Sequence, residues 1–201
     1  MKIKLLLIAF ILSSSYTFSQ EKEDLFSMIE QDQKQIELLP EKMIFTQSLL
    51  WGKNGLLRKT GISPLNLENR EKELKIRKTM LTTHQAIGYL TLASMIAQGI
   101  IGGKLYNGDE SLRSTHNTMG KVVNIGYFTG AGLSLFSPPP LINKKKSKGF
   151  DSIKAHKILA TVHFSAMVAT NHYKYRDKKV HKAAAYTAFA SYATAVLVIK
   201  F

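Results

Sequence analysis

Four long apolar segments fill the second half of this 201-residue chain, at residues 80–103, 116–136, 153–173 and 180–201. Each has the length that a helix needs to cross a hydrocarbon layer of about 30 Å. None of the four contains an aspartate or a glutamate, and polar turns or prolines separate them. The sequence therefore predicts an all-α fold whose main part, residues 79–201, is a four-helix transmembrane bundle.

Small residues are frequent in these segments, which carry many Ala, Gly, Ser and Thr and few Leu. Helices that associate in lipid use small residues to approach closely, and small residues also leave room for a buried cofactor. The same composition leaves a soluble periplasmic four-helix bundle open as an alternative.

The N-terminus has the three parts of a secretory signal peptide, predicted at residues 1–19. Lys2 and Lys4 precede the short apolar run `LLLIAFIL`, and small residues at Thr17 and Ser19 suit cleavage before Gln20. The run is too short to be a comfortable transmembrane helix. We therefore expect a multi-pass protein of the bacterial inner (cell) membrane whose N-terminal segment is exported.

Residues 20–78 are polar and helix-prone, and they predict an exported amphipathic segment with two short helices. Its stretch `SLLWGKNGLLRKTGISPLN` is rich in Gly, Asn and Pro and predicts a surface loop. Two interpretations of Trp51 stay open. The ring lies at the lipid interface, where tryptophan is favoured, or it belongs to a small packed cap outside the membrane.

The chain is strongly basic, with 28 Lys and Arg against 14 Asp and Glu. The basic residues cluster between the apolar segments, which is typical of membrane flanks, and no RNA-binding motif or helix-turn-helix accompanies them. We expect membrane lipid and no nucleic acid as a partner. An exported N-terminus would place the basic residues of 53–78 and 144–154 outside, against the positive-inside rule, but the signal peptide is the more specific pattern.

Cysteine is absent, which excludes disulfides, thiolate metal sites and covalently attached c-type haem. Any cofactor must be held by His, Met or oxygen ligands. A zinc or di-iron site would also need carboxylates or closely spaced histidines on facing helices, and the apolar segments offer no carboxylate.

Four histidines, His84, His116, His156 and His181, lie near the starts of the four apolar segments. Because neighbouring segments run in opposite directions, His84 and His156 fall at one depth, and His116 and His181 at the other. Two facing imidazoles from separate helices are the ligands that a bis-histidine b haem requires. The pattern predicts two b haems whose iron is bound by these four side chains.

A small residue follows each of these histidines four positions later, on the same helix face. The haem plane would sweep across this turn, so a small side chain clears space for it. His163 lies seven residues after His156 and is the alternative ligand on that helix, whereas His172 is expected at the interface. The four small residues are Gly88, Gly120, Ala160 and Ala185.

With `HQAIG`, `HNTMG`, `HKILA` and `HKAAA` in this order, residues 80–201 resemble the cytochrome b561 superfamily. The resemblance implies a four-helix di-haem core in which His84 pairs with His156 and His116 pairs with His181. It also implies electron transfer across a membrane, but it does not carry over the electron donor or acceptor and leaves open whether the chain is a transmembrane oxidoreductase. The exported segment makes a periplasmic redox partner one candidate. The spacing from His156 to His181 is short and requires a short third helix or a compact turn.

A second hypothesis comes from another class of protein. The chain would be a cofactor-free membrane or partner-binding protein, with histidines that lie at the interface. A preparation that folds with haem present but remains colourless would favour it.

Overall fold

The computed structural model describes residues 37–141 and 151–200, and the predicted signal peptide lies outside this part of the chain. Every regular element in the described part is helical, so the all-α prediction is confirmed. The long helices are preceded by two short ones. In chain order the α-helices are α1 Phe45–Trp51, α2 Leu56–Lys59, α3 Leu67–Tyr106, α4 Arg113–Leu135, α5 Ser152–Tyr173 and α6 Lys178–Lys200.

Helix α3 is the longest element, with 40 residues and a length of about 60 Å. Asn66 caps its start by accepting a hydrogen bond from the backbone N–H of Asn69. The helix passes without a break through residue 78, where the sequence predicts the end of the exported segment. Its charged first turns and its apolar remainder are therefore one rigid rod.

The stretch `SLLWGKNGLLRKTGISPLN` is only partly the predicted loop, because its residues 48–51 belong to α1 and 56–59 form α2. The helical turns are too short to show an apolar period. Gly52 and Gly55 separate them, and each packs directly on backbone carbonyls of α1, where a Cβ atom would collide. The glycine signal for a turn is correct, but it marks only the junction.

The connections match the sequence pattern closely. Asp151 caps α5 by accepting from the backbone N–H of Lys154, as predicted. Helix α5 keeps 22 residues, so the short spacing from His156 to His181 is met by a compact turn at 174–177. Asp177 ends this turn and caps α6 through the N–H groups of Lys179 and Val180.

Helices α3 and α4 pack along each other, as do α5 and α6, and the two hairpins meet through α3 and α6. Helices α3 and α5 are therefore diagonal across the centre, and so are α4 and α6. The buried cluster at the centre consists of Met95, Val123, Tyr127, Ala166, Met167 and Ala188.

Large apolar side chains of the long helices point outward. Leu90 is 70% exposed, Ile125 69% and Ile158 56%, whereas the buried positions include Thr91 and Ser191. Two of the described helices, α3 and α6, are long and apolar enough to cross a membrane, with 17% of the most apolar window of each buried. This arrangement suggests that the helices associate with a membrane.

Residues 37–66, here named the collar, pack on the end of α4. The Trp51 indole N–H donates to the carbonyl of Phe136 at 2.9 Å, and the Thr46 hydroxyl donates to that of Leu135 at 2.6 Å. These contacts satisfy carbonyls that the end of a helix leaves without partners. Of the two interpretations of Trp51, its hydrogen bond favours the packed one.

A buried ion cluster joins the collar to α3. Glu73 is 1% exposed and bonds Arg58 and Ser63 of the collar and Arg70 of its own helix. Burial raises the pKa of Glu73, but the hydrogen bonds from Arg58, Ser63 and Arg70 outweigh it and hold the pKa below its ordinary value. Glu73 is therefore charged at neutral pH.

Arg70 and Arg77 extend the attachment to the proline run after α4. Arg70 donates to the carbonyls of Leu38 and Pro139, and Arg77 donates to that of Pro138. Both arginines share one face of α3 with His84, because the three residues are spaced by seven. The contact of Arg77 with the proline run thus fixes the rotation of α3 about 10 Å before its first histidine.

Candidate functional site

His84 of α3 and His156 of α5 face each other across the centre of the helices. Their ring centroids are 6.5 Å apart, and the ring planes are nearly perpendicular at 87°. Because α3 and α5 lie diagonally across the centre, only their side chains reach across the space between the two helices.

His116 of α4 and His181 of α6 form a second pair with nearly the same geometry. Their ring centroids are 6.3 Å apart with an angle of 79° between the planes. The structure thus brings together the two pairs expected from the alternating helix directions, one near each end of the apolar region.

Three of the four histidines are held by backbone carbonyls of the neighbouring helix in their own hairpin. The Nδ1–H of His84 donates to Gly130 at 2.9 Å, and that of His156 donates to Ala195 at 3.1 Å. His181 donates in the same way to Thr170 at 2.8 Å. A carbonyl can only accept, so Nδ1 carries the proton and Nε2 keeps a free lone pair, which is the tautomer of a metal-binding histidine.

His116 is held differently, by a side-chain amide. The Gln98 Nε2 lies 3.2 Å from its Nδ1 and 3.4 Å from its Nε2, and it donates to its backbone carbonyl at 3.1 Å. The ring rests on Gly102 of α3, where a Cβ atom would be 2.9 Å from His116 Cε1. Glycine at 102 is therefore necessary for the ring to sit where it does.

Of the histidines outside the two pairs, His163 lies on the inner face of α5 and His172 is exposed. The Nδ1 of His163 is 2.6 Å from the Tyr127 hydroxyl, and its ring is 5.1 Å from that of Tyr192. The side chain opposite His84 is thus His156, while His163 is engaged by tyrosines. The geometry favours His156 over the alternative.

The small residues four positions after the histidines lie inside, with other side chains close by. A Cβ atom on Gly88 would be 3.6 Å from the Tyr192 hydroxyl, and one on Gly120 would be 3.2 Å from Gln98 Nε2. Gly120 therefore makes room for the amide that holds His116. That these glycines clear a haem plane stays a prediction.

The two hairpins, α3–α4 and α5–α6, repeat one another. In each, an inner polar residue follows the first histidine by seven positions, and a tyrosine follows the second histidine by eleven. The carbonyl that accepts from the first histidine belongs to the residue fourteen positions after the second. The corresponding residues are His84 and His156, Thr91 and His163, His116 and His181, Tyr127 and Tyr192, and Gly130 and Ala195.

Tyr127, Tyr192 and His163 form a cluster between the two histidine pairs. The rings of Tyr127 and Tyr192 are 5.7 Å apart, and the Tyr192 hydroxyl donates to the Gly88 carbonyl at 3.3 Å. The histidine pattern alone does not reveal the two tyrosines. The internal repeat does, because both stand at the same distance from their histidine.

No cluster of three or more His, Asp or Glu side chains that could hold a metal ion occurs within residues 37–141 and 151–200. The histidines come together only as pairs. No family model, curated protein or solved structure matches this chain.

Proposed function

We propose that this chain is a b-type cytochrome of the membrane, similar to the cytochrome b561 superfamily, with two b haems held by histidine pairs. The observation that carries the proposal is the geometry of the two pairs, His84 with His156 and His116 with His181. Through these haems the protein would transfer electrons across the membrane.

The spacing of the rings suits a shared iron atom. An iron–imidazole bond is about 2 Å and the ring centroid lies about 1.1 Å behind its nitrogen, so two imidazoles that shared one haem iron would have ring centroids about 6.2 Å apart. The two pairs are at 6.5 and 6.3 Å. The porphyrin supplies four ligands to iron, and a pair of histidines supplies the remaining two.

Hydrogen bonds that the Nδ1–H groups donate also support haem binding by these histidines. In metal sites the other ring N–H of a histidine is usually donated to a carbonyl or carboxylate, which fixes the ring and raises its basicity. Three of the four histidines have this bond. An interfacial histidine has no need of it, since water can take its proton.

The positions of the pairs favour transfer across a membrane. Gln98, beside His116, lies 14 residues after His84 on α3, which corresponds to about 21 Å along the helix. The two sites are therefore separated by about two thirds of a hydrocarbon layer of about 30 Å. With both axial positions filled by protein, such sites favour electron transfer over oxygen binding.

The exterior of the helices supports a transmembrane bundle of four helices. Leu90 and Ile100 of α3, Ile125 of α4, Ile158 of α5 and Leu197 of α6 are at least 55% exposed. Water would make such a surface unfavourable, whereas lipid covers it without cost. We propose a multi-pass protein of the bacterial inner membrane whose N-terminal segment is exported after removal of residues 1–19.

Paired substitutions test the haem assignment. His84→Ala and His156→Ala should each remove the same haem and leave the other, and His116→Ala and His181→Ala should remove the second one. The matched control is His172→Ala, which changes an exposed histidine on α5 and should leave both haems. If the alanine variants of the two histidines in one pair lost different haems, the assignment would be overturned.

A further inference from the structure

We infer that Gln98 sets the tautomer of His116, and through it the redox potential of the second of the two haem sites. The inference rests on the proposed function. Gln98 is a positioning residue in this role, because it acts on the ring of His116 and not on iron.

The internal repeat first singles out this residue. Gln98 follows His84 by 14 residues, and Thr170 follows His156 by the same 14. In the second hairpin the backbone carbonyl of Thr170 accepts the Nδ1–H of His181. In the first hairpin the side chain of Gln98 stands beside the Nδ1 of His116 instead. One site of four therefore depends on a side chain where the others use backbone.

The amide of Gln98 has two orientations with different consequences. With Nε2 toward the ring, the amide donates to Nδ1, so the ring proton is on Nε2 and this nitrogen has no lone pair for iron. With Oε1 toward the ring, the amide accepts the Nδ1–H and the lone pair of Nε2 is free. The second orientation reproduces the tautomer of the other three histidines.

Binding of iron by Nε2 of His116 would require the second orientation, because only then is the lone pair of Nε2 free. Oε1 is buried and has no hydrogen-bond partner among the described residues, which is costly for a carbonyl oxygen. A half turn of the amide exchanges two atoms of nearly equal size and brings Oε1 to about the 3.2 Å that now separates Nε2 from Nδ1. The half turn gives up the bond to the His116 carbonyl, brings two acceptor oxygens to about the same 3.1 Å and leaves Nε2 where Oε1 now has no partner. It gains a bond to a metal-binding ring. Haem binding must therefore impose this orientation.

The surroundings hold the amide at this place. A Cβ atom on Gly120 would lie 3.2 Å from Gln98 Nε2, and Gly102 lies against the ring of His116. Both glycines leave space that a larger side chain would take. The pocket therefore fits a glutamine amide and an imidazole side by side.

The test is an optical redox titration of the haem-loaded full chain and its Gln98 variants. In Gln98→Glu a carboxylate accepts the Nδ1–H more strongly and makes His116 a stronger donor to iron, so the midpoint potential of one haem should fall. In Gln98→Leu the acceptor is lost, so this potential should rise and the affinity for that haem should fall about 10- to 100-fold. The potential of the other haem stays constant in both.

Two further variants assign the result. In a His84→Ala background only the second haem remains. The Gln98 substitutions should still shift the midpoint potential of this haem. Gln85→Leu is the matched control, since it makes the same exchange at an exposed position of α3 and should move neither potential. If Gln98→Leu does not fold, the test rests on Gln98→Glu alone, whose midpoint potential should be lower than that of the wild type.

Each outcome has a distinct meaning. Two haems whose potentials are unchanged by both Gln98 variants, or shifted in the same direction by both, would overturn the role of Gln98 alone. A folded wild-type chain that takes up no haem would overturn the proposed function and this inference together.

Discussion

At the residue scale, the pairing of the histidines could be predicted from the sequence, but their hydrogen bonds could not. The order of four segments and the alternation of direction are enough to place His84 with His156. The carbonyl of Gly130 that fixes His84 becomes its partner only when two helices pack in one register. The amide of Gln98 is visible beforehand only through the internal repeat, as the counterpart of Thr170.

Gly102 gives a prediction at this scale, because the ring of His116 occupies the space of its missing side chain. In Gly102→Ala the new methyl group should displace the ring of His116 from its place opposite His181 and lower the affinity for the second haem about tenfold or more. Haem titration of the purified chain measures this. The first haem should be retained at full affinity.

Gly99→Ala is the matched control for that prediction. It lies one turn earlier on α3, and a Cβ atom there would meet nothing within 4 Å. The exchange should leave both haems in place and stabilise the helix slightly, since alanine favours a helix over glycine by about 1 kcal/mol. Equal loss of haem in the two variants would contradict the steric account.

At the scale of elements, the long helices and their ends could be predicted because apolar runs, Asp151 and the prolines after α4 are strong local signals. The collar could be predicted only as one of two alternatives, a packed cap, and its contacts could not, since α1 and α2 are stabilised by tertiary contacts. No sequence pattern links Arg58 with Arg70 and Glu73. The three residues form one buried cluster only after the chain folds back on α3.

Glu73→Gln tests the collar. Removal of the carboxylate leaves two arginines buried without a counter-charge, which should lower the free energy of unfolding of this region by about 3–5 kcal/mol. Limited proteolysis of residues 37–66, with increasing denaturant, follows the change. Glu68→Gln removes an exposed carboxylate paired with Lys72 and should behave as the wild type.

The collar should also lose stability in acid. Because the pKa of Glu73 is lowered on folding, its contribution is complete above the ordinary value of 4.5 and declines as the pH falls through the lower folded pKa. Proteolysis of the wild-type collar should therefore accelerate below about pH 4.5. In the Glu73→Gln variant this acceleration in acid should be absent. If the variant and the wild type had the same pH profile of proteolysis, the role of the cluster would be contradicted.

At the scale of the whole molecule, the two hairpins place two histidine pairs between the helices and expose large apolar side chains, which is consistent with the proposed membrane cytochrome. The sequence predicts four spans of similar kind. Of the described helices, α3 and α6 are apolar enough to indicate a membrane by themselves. The difference arises because α4 contains Lys121 and Asn124, and α5 contains two lysines and three histidines, which lower the mean hydropathy of both helices.

The position of the C-terminus tests the proposed topology. Four spans return the chain to the side on which its N-terminal segment lies, so a reporter enzyme that is active only outside the cytoplasm should be active when fused after Phe201. Activity only in the cytoplasm would show that the distribution of basic residues, and not the signal peptide, sets the orientation.

The most direct measurement of the central claim is the amount of haem bound by the purified full chain. A membrane cytochrome with two histidine-bound b haems should be a red protein with two haems per chain and, after reduction with dithionite, should have the spectrum of a low-spin b-type cytochrome. A folded chain that stays colourless when expressed with sufficient haem would contradict the account and favour the cofactor-free alternative.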